Sequence, residues 1–484
     1  MLFFKKIAIR DGYEIRYLIR SFCKLLHKKY NSKIYVYGSQ GSKFFYKNLL
    51  KENIIEEFVE CEILHERIFD KVTNPKLVLK RATELENFIG GSFNLLRMTR
   101  RDFGLGFYSG ARYHPKSRHS EESSYLQIVN AYCLLLEFWI RELKQKKITI
   151  FLNGLKEEEL VSNALKIPFR ILYGSRVENY WHWALNSRTE FPLVKKNFNK
   201  LKKNFAKVEL NTQYYQDTIH KSIIFSKSPL RNFIEKVFFQ INKELYTRKK
   251  KNFLRTYYFF SYLKYLFNEY RHTKLLQSNF VSKIDSISNK KFIYFPLHTE
   301  PEMSLHWMSP ECFNQLDVIM SLSRDLPSDT YLVVKETIYA VGKRDKYFYE
   351  QIKNLKNTIF LDVNINGLEI IKKSSAVAII SGTAGVEGAI LGKPVLIFAK
   401  YSFYDFLPHA FKVNSHNNNY HLLKKILSKS FIKTKLKSDG AKLRKAIIHS
   451  SFHMKSFTNL HRDKFDDEIL LRLNNGLIDS LENK

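Results

Sequence analysis

Residues 376–394 hold the chain's densest chemical signal. Ala376–Ile380 reads as a buried strand, Ser381–Gly385 as a turn of small residues, and the segment after it as a helix. That helix bears Glu387 and ends at Gly392-Lys393-Pro394. A strand, a Gly-rich turn and a helix in this order aim backbone N–H groups and the positive end of a helix dipole at one point, which suits a phosphate. Gly382, Ala384 and Gly385 are small enough to let a ligand approach the backbone, and Ser381 and Thr383 add hydroxyls. Glu387, one turn into the helix, is placed to reach a ribose diol or to favour the helix N-terminus electrostatically. The spacing fits neither GxGxxG nor the P-loop, so neither a dinucleotide fold nor an ATPase is indicated.

Three other groups could join this chemistry. The segment Pro296-Leu297-His298-Thr299-Glu300-Pro301-Glu302 gathers one imidazole and two carboxylates on a loop after a strand. Such a loop could supply an acid, a base or sugar contacts, or only helix caps. In Val334-Lys335-Glu336-Thr337 a Lys leaves an apolar strand, either as a point charge on phosphate or as half of a surface pair. Gly342-Lys343-Arg344, before Tyr347-Phe348-Tyr349, places more cationic donors near the same edge. Further upstream, Arg101-Asp102, Gly104-Leu105-Gly106, Tyr113-His114-Pro115 and Glu121-Glu122 lie on a long loop. They are candidates for acceptor binding, against the alternative of a solvated loop.

These groups need elements to hold them. Residues 1–190 alternate strands and helices, with strands at Phe3–Ile9, Ile34–Tyr37, Ile148–Leu152 and Phe169–Tyr173, as in an open parallel sheet. Residues 195–285 are basic, aromatic and nearly free of Gly and Pro, and read as a helical insertion or linker with helices at Arg231–Tyr246 and Asn252–Tyr270. Its faces could meet a membrane surface or an anionic acceptor, or simply be solvated. Alternation resumes over 286–450, with strands at Phe292–Phe295, Tyr331–Val334, Thr358–Leu361, Ala376–Ile380 and Val395–Phe398. A helical tail, 451–484, closes the chain. The expected fold is α/β, with two Rossmann-like domains facing across a cleft and a helical insertion. Every motif above sits at the carboxyl end of a strand, where open sheets bind ligands.

Composition bounds the partners. The 484 residues are 44% apolar, enough for two or three cored domains, and carry a net charge of +33. Nucleic acid, anionic lipid and phosphorylated substrates are all compatible with that charge. So is an AT-rich codon bias toward Lys, Asn, Ile, Phe and Tyr. The basic residues are spread along the chain and form no known nucleic-acid module, so no nucleic-acid partner is expected. Cys23, Cys61, Cys133 and Cys312 form no CxxC pair, which argues against a zinc ribbon or disulfide framework and fits a reducing cytoplasm. The start of the chain lacks a signal-peptide core, and Tyr125–Ile140 is too short and too polar to span a bilayer.

The second half resembles the capsule and surface polysaccharide biosynthesis family that includes bacterial Kdo transferases. The resemblance runs in order through Phe295–Glu302, Gln315, Leu326-Pro327, Val334-Lys335-Glu336, Gly342-Lys343-Arg344, Phe348-Tyr349, Ser381–Glu387 and Gly392-Lys393-Pro394. It implies a GT-B-like glycosyltransferase in the biosynthesis of a bacterial surface polysaccharide. The nucleotide-sugar donor, a CMP-sugar by preference, would bind the second half, and a growing glycan or lipid-linked acceptor the first. On this reading Lys335, Arg344, Ser381, Gly382, Thr383, Ala384 and Gly385 hold the donor phosphate and Glu387 the ribose. Asp102, Glu300 and His298 are the candidate bases or nucleophiles. Lys335 and Arg344 would stand in for a metal, so neither a DxD-type metal site nor a separate cofactor is expected. The protein would be cytoplasmic, or peripheral on an anionic inner-membrane surface. Where the family commonly reads Lys-Glu-His-Pro, this chain has Lys335-Glu336-Thr337-Ile338, a neutral hydroxyl in place of an imidazole. A non-catalytic polysaccharide-binding protein of the same pathway and a sugar-nucleotide epimerase are the alternative readings.

Overall fold

The computed structural model describes residues 2–12, 15–98, 100, 115–202, 210, 228–250, 257–300, 302–312, 314–428, 431, 434–454 and 465–482. The chain divides into two compact units. One comprises Met1–Leu96, Glu122–Val194 and Ile447–Lys484, and the other Arg97–Glu121 and Lys195–Ala446.

The first unit is built on strands β1 (Lys6–Arg10), β2 (Lys33–Gly38), β3 (Glu57–Glu60), β4 (Ile150–Leu152), β5 (Phe169–Gly174) and β6 (Tyr180–Ala184). β5, β4, β1, β2 and β3 lie side by side in parallel. β6 and a short strand at Phe452–His453 extend the β5 edge in antiparallel fashion. Helices α1 (Arg16–Tyr30), α2 (Pro75–Ile89), α3 (Tyr125–Gln145) and α4 (Lys156–Ala164) connect the strands. Their starts follow from local chemistry. The Asn74 side chain accepts the Leu77 N–H at 3.0 Å, with Pro75 preorganised in the first turn. Ser124 and Gln127 form a reciprocal capping box. α3 is a core helix, with Ala131, Tyr132, Cys133, Leu136 and Trp139 fully buried.

The second unit holds β7 (Phe292–Pro296), β8 (Tyr331–Lys335), β9 (Thr358–Leu361), β10 (Ala376–Ile379), β11 (Val395–Ile397) and β12 (Ala410–Lys412), in the order β12-β11-β10-β7-β8-β9 and parallel throughout. β10 and β11 are buried at every residue, as expected for strands covered on both faces. A basic helical pair, α5 (Pro229–Lys250) and α6 (Phe259–Leu276), precedes the sheet. Then come α7 (Gln315–Asp325), α8 (Lys346–Asn354), α9 (Gly367–Lys373) and α10 (Thr383–Ile390). Asp345 caps α8 by accepting the Phe348 N–H at 2.8 Å. After α11 (Thr434–His449) the chain returns to the first unit, where α12 (Asp467–Glu482) buries Ile469, Leu473 and Leu477 in that unit's core.

The short strands β3, β6, β12 and Phe452–His453 escaped the sequence reading, because two to five residues carry little periodicity. One buried imidazole reports on the first unit. His182 on β6 stacks on Phe191, with ring centroids 3.6 Å apart, and burial lowers its pKa from 6.5 to about 3. The unfolded chain binds that proton near pH 6.5 and the folded chain does not. Its contribution is therefore complete above pH 6.5 and is lost as the pH falls toward 3. Stability should decline by about 1.4 kcal/mol per pH unit below 6.5 from this group. Denaturation midpoints of wild type and His182→Phe between pH 7 and pH 4 test this, and the variant should show the shallower slope.

Candidate functional site

The strand order fixes where a ligand belongs in the second unit. β7, β8 and β9 progress in one direction, and β10 then returns to the other side of β7. The reversal falls between β7 and β10, and the loops leaving their carboxyl ends diverge there to open a crevice. The loop after β7 carries His298 and Glu300, and β10 runs through residues 380–382 into α10, which begins at Thr383 and takes in three residues that the sequence reading gave to the turn. The two meet directly. His298 Nε2 accepts the Ser381 N–H at 3.0 Å and also touches the Ser381 carbonyl.

Gly382 makes the turn possible. Its φ of 116° and ψ of 178° belong to a region open essentially to glycine alone. α10 then begins with no side-chain cap and no acidic residue in its first turn, so its leading N–H groups remain available to an anion. Ser381, Gly382, Thr383 and Ala384 are half-buried, and so is Glu387 further along the helix. Gly385 serves packing instead of ligand approach, because a Cβ there would collide with the Tyr404 hydroxyl. Tyr404 was not singled out in the sequence, and nothing in its local pattern marks it.

The β7 loop is held from beneath by a buried polar network. Gln315, the first residue of α7, accepts the His298 N–H at 2.7 Å and returns its side-chain N–H to the His298 carbonyl at 3.1 Å. The same amide donates to Glu300 at 2.5 Å. Arg344 donates to the other Glu300 oxygen at 2.6 Å, to Glu336 at 2.7 Å and to the His298 carbonyl. Tyr349 OH adds a bond to Glu336 at 2.7 Å, and Phe348 lies against the guanidinium, 4.9 Å from ring centroid to Cζ. Arg344 is 1% exposed. Burial works against its charge, but Glu336 and Glu300 outweigh that and raise its pKa. Burial and Glu336 together push the Tyr349 phenol well above its usual range.

The sequence-predicted residues therefore separate by depth. His298, Ser381, Gly382, Thr383 and Ala384 line the reversal. Lys335, at the end of β8, pairs in register with Pro296 of β7, and its ammonium lies 3.4 Å from the Val363 carbonyl. Arg344 and Glu300 lie under the loop as partners of each other. Glu336, expected at the surface as one reading of Lys335-Glu336, is 1% exposed and is a main anchor of Arg344. Thr337 follows it half-buried, its N–H donating to Glu336 at 2.7 Å. Asp102 and the rest of its loop from Arg101 to His114 lie outside the described residues. Among the described residues no group of three or more His, Cys, Asp or Glu side chains is arranged to hold a metal ion.

Comparison with known proteins adds a family. The model for capsule polysaccharide biosynthesis proteins matches residues 184–437, more than half of the chain. The chain belongs to the capsule polysaccharide biosynthesis protein family. The matched region contains the whole second sheet and every described site residue above. No curated protein matches the chain in sequence. Solved structures similar to it include a glycosyltransferase from Rickettsia africae ESF-5, 14% identical over 99% of both chains, with a TM-score of 0.31. Another is Anabaena HepE in complex with UDP and glucose, 12% identical over 99% of this chain and 100% of that one, with a TM-score of 0.33. A third is KpsC from Thermosulfurimonas dismutans, a beta Kdo 2,7 transferase, 16% identical over 63% of this chain and 79% of that one, at 0.31.

The buried network makes a stability prediction. Arg344→Met leaves Glu300 and Glu336 buried without their counter-charge and should cost about 3–5 kcal/mol. Tyr349→Phe removes one hydrogen bond to Glu336 and should cost about 1–3 kcal/mol. Urea unfolding of both variants measures the difference. Equal losses would mean that Arg344 is not the centre of the network.

Proposed function

We propose that the chain is a glycosyltransferase that draws on a nucleotide-sugar donor in building a bacterial capsule or related surface polysaccharide. Family membership supports the pathway, and one observation carries the reaction type. The uncapped N-terminus of α10, entered through Gly382, opens at the point where the order of β7 and β10 reverses. His298 faces it from across the reversal and Lys335 stands one strand further on.

Transfer needs stabilisation of charge on the leaving nucleotide. The acceptor hydroxyl gives up its proton, a new bond forms from its oxygen to the sugar's anomeric carbon, and the bond from that carbon to the phosphate oxygen breaks. The nucleotide leaves with the electron pair, so negative charge grows on its phosphate. N–H groups of residues 382–385, the Ser381 and Thr383 hydroxyls and the Lys335 ammonium would meet that charge without reorganising. Glu387 would take the ribose hydroxyls. Arg344 and Glu300 would act by holding the His298 loop in place, and His298 is the described candidate base nearest the turn. The donor would be CMP-linked and of the Kdo type, with Thr337 contributing a hydroxyl at the position of the family's imidazole.

Donor hydrolysis or transfer by purified protein tests the assignment. Lys335→Ala should lower kcat/KM by on the order of 10²-fold or more and Thr383→Val by about 10-fold. Wild-type rates in both folded variants would make the donor-site assignment wrong. A thermal-shift comparison of CMP, UDP and GDP tests the nucleotide, since a ligand bound only to the native state raises the melting temperature. CMP should give the largest rise. Stabilisation without turnover on any sugar nucleotide would favour a polysaccharide-binding or assembly role.

A further inference from the structure

The helical pair before the second sheet has two opposite faces. The inner face of α6 seats the loop of the candidate site. Gly342, at a φ of 80°, lies so close to the Glu269 carbonyl and the Thr273 hydroxyl that a Cβ would collide with both. Arg344 follows two residues later. On the opposite side of α6, Phe260, Lys264, Phe267, Arg271 and Lys274 recur at intervals of three and four residues and form one stripe. Phe260 is 82% exposed and Phe267 is 49% exposed. The three polar members of the stripe are all cations, and none is a carboxylate.

α5 packs beside α6, through Phe233 against Phe267 and Tyr270 and through Lys236 to Glu269 at 2.9 Å. It exposes an apolar stripe of its own, Leu230, Ile234, Phe238, Ile241 and Leu245, again at intervals of three and four. Arg231 and Lys249 flank it. A merely solvated face needs no Phe at such exposure, and a purely electrostatic anion site needs no Leu or Ile. The combination suits the boundary of an anionic bilayer, where apolar side chains enter the acyl edge and cations remain among the phosphates. Among the described residues no helix is long and apolar enough to cross a membrane, so the contact would be one of surface attachment.

We propose that the outer faces of α5 and α6 dock on an anionic lipid bilayer through Phe260, Phe267 and the apolar stripe of α5, with Lys264, Arg271 and Lys274 on the headgroups. The inner face of α6 ties this contact to the Gly342–Arg344 loop. Docking stands independently of the donor reading, because vesicle binding needs neither donor nor turnover.

Cosedimentation of the full chain with vesicles tests the proposal, comparing phosphatidylglycerol mixed into phosphatidylcholine with phosphatidylcholine alone. Wild type should pellet with the anionic vesicles and be released by high salt. Each cation near such a surface is worth roughly fivefold in partitioning, so Lys264→Glu with Arg271→Glu should weaken binding by on the order of 25-fold or more. Phe260→Ser with Phe238→Ser should weaken it at low salt and leave the melting temperature close to wild type, since both rings are largely exposed. Binding equal to wild type in both folded double variants, or no preference for anionic vesicles, overturns the proposal. So does salt-sensitive capture of single-stranded RNA by wild type without vesicle binding.

Discussion

The candidate site depends on one buried cation. Arg344 sits where β7 and β8 end, with Glu336 on one side, Glu300 on the other and the His298 carbonyl above. A guanidinium this deep is tolerable only because two carboxylates compensate it and their remaining lone pairs are also engaged. Gln315, Tyr349 and the Thr337 N–H supply those further bonds. The network turns a proline-punctuated loop into a fixed shelf at the reversal of strand order. His298 reaches from that shelf to Ser381. The turn that presents the α10 N–H groups is therefore braced by a side chain whose own main chain is clamped from below.

This arrangement divides labour between layers. Charge that stabilises the fold is buried and paired, whereas the start of α10 presents backbone N–H groups with no side-chain cap. Backbone donors suit the task because they are fixed by the helix and need not be ordered when a ligand arrives. The same logic extends outward through α6, which rests on Gly342 with one face and shows aromatic and cationic side chains on the other.

Much of the second sheet was legible in the sequence. Its strands are continuous apolar runs bounded by Gly, Pro and polar residues, and β9 has the limits expected of it. The passage from β10 into a helix was legible because small residues there permit a sharp turn, but the helix begins at Thr383, so Thr383, Ala384 and Gly385, read as turn, are helical. Depth was not legible. Arg344 and Glu336 have the composition of a surface pair, and only the fold shows that both are buried. Gly385 looked like room for a ligand and proves to be room for Tyr404, nineteen positions further along the chain, a separation that no local pattern can bridge. The short strands β3, β6, β12 and Phe452–His453 were invisible because their pairing partners, more than their own residues, define them.

The account's central claim is that the Ser381–Gly385 turn holds a nucleotide's phosphate. Hydrogen–deuterium exchange of the full chain, with and without saturating CMP, tests it most directly. The amides of residues 381–387 should gain protection, and the His298 loop should follow. A nucleotide that binds and protects other segments while leaving 381–387 unchanged would contradict the claim.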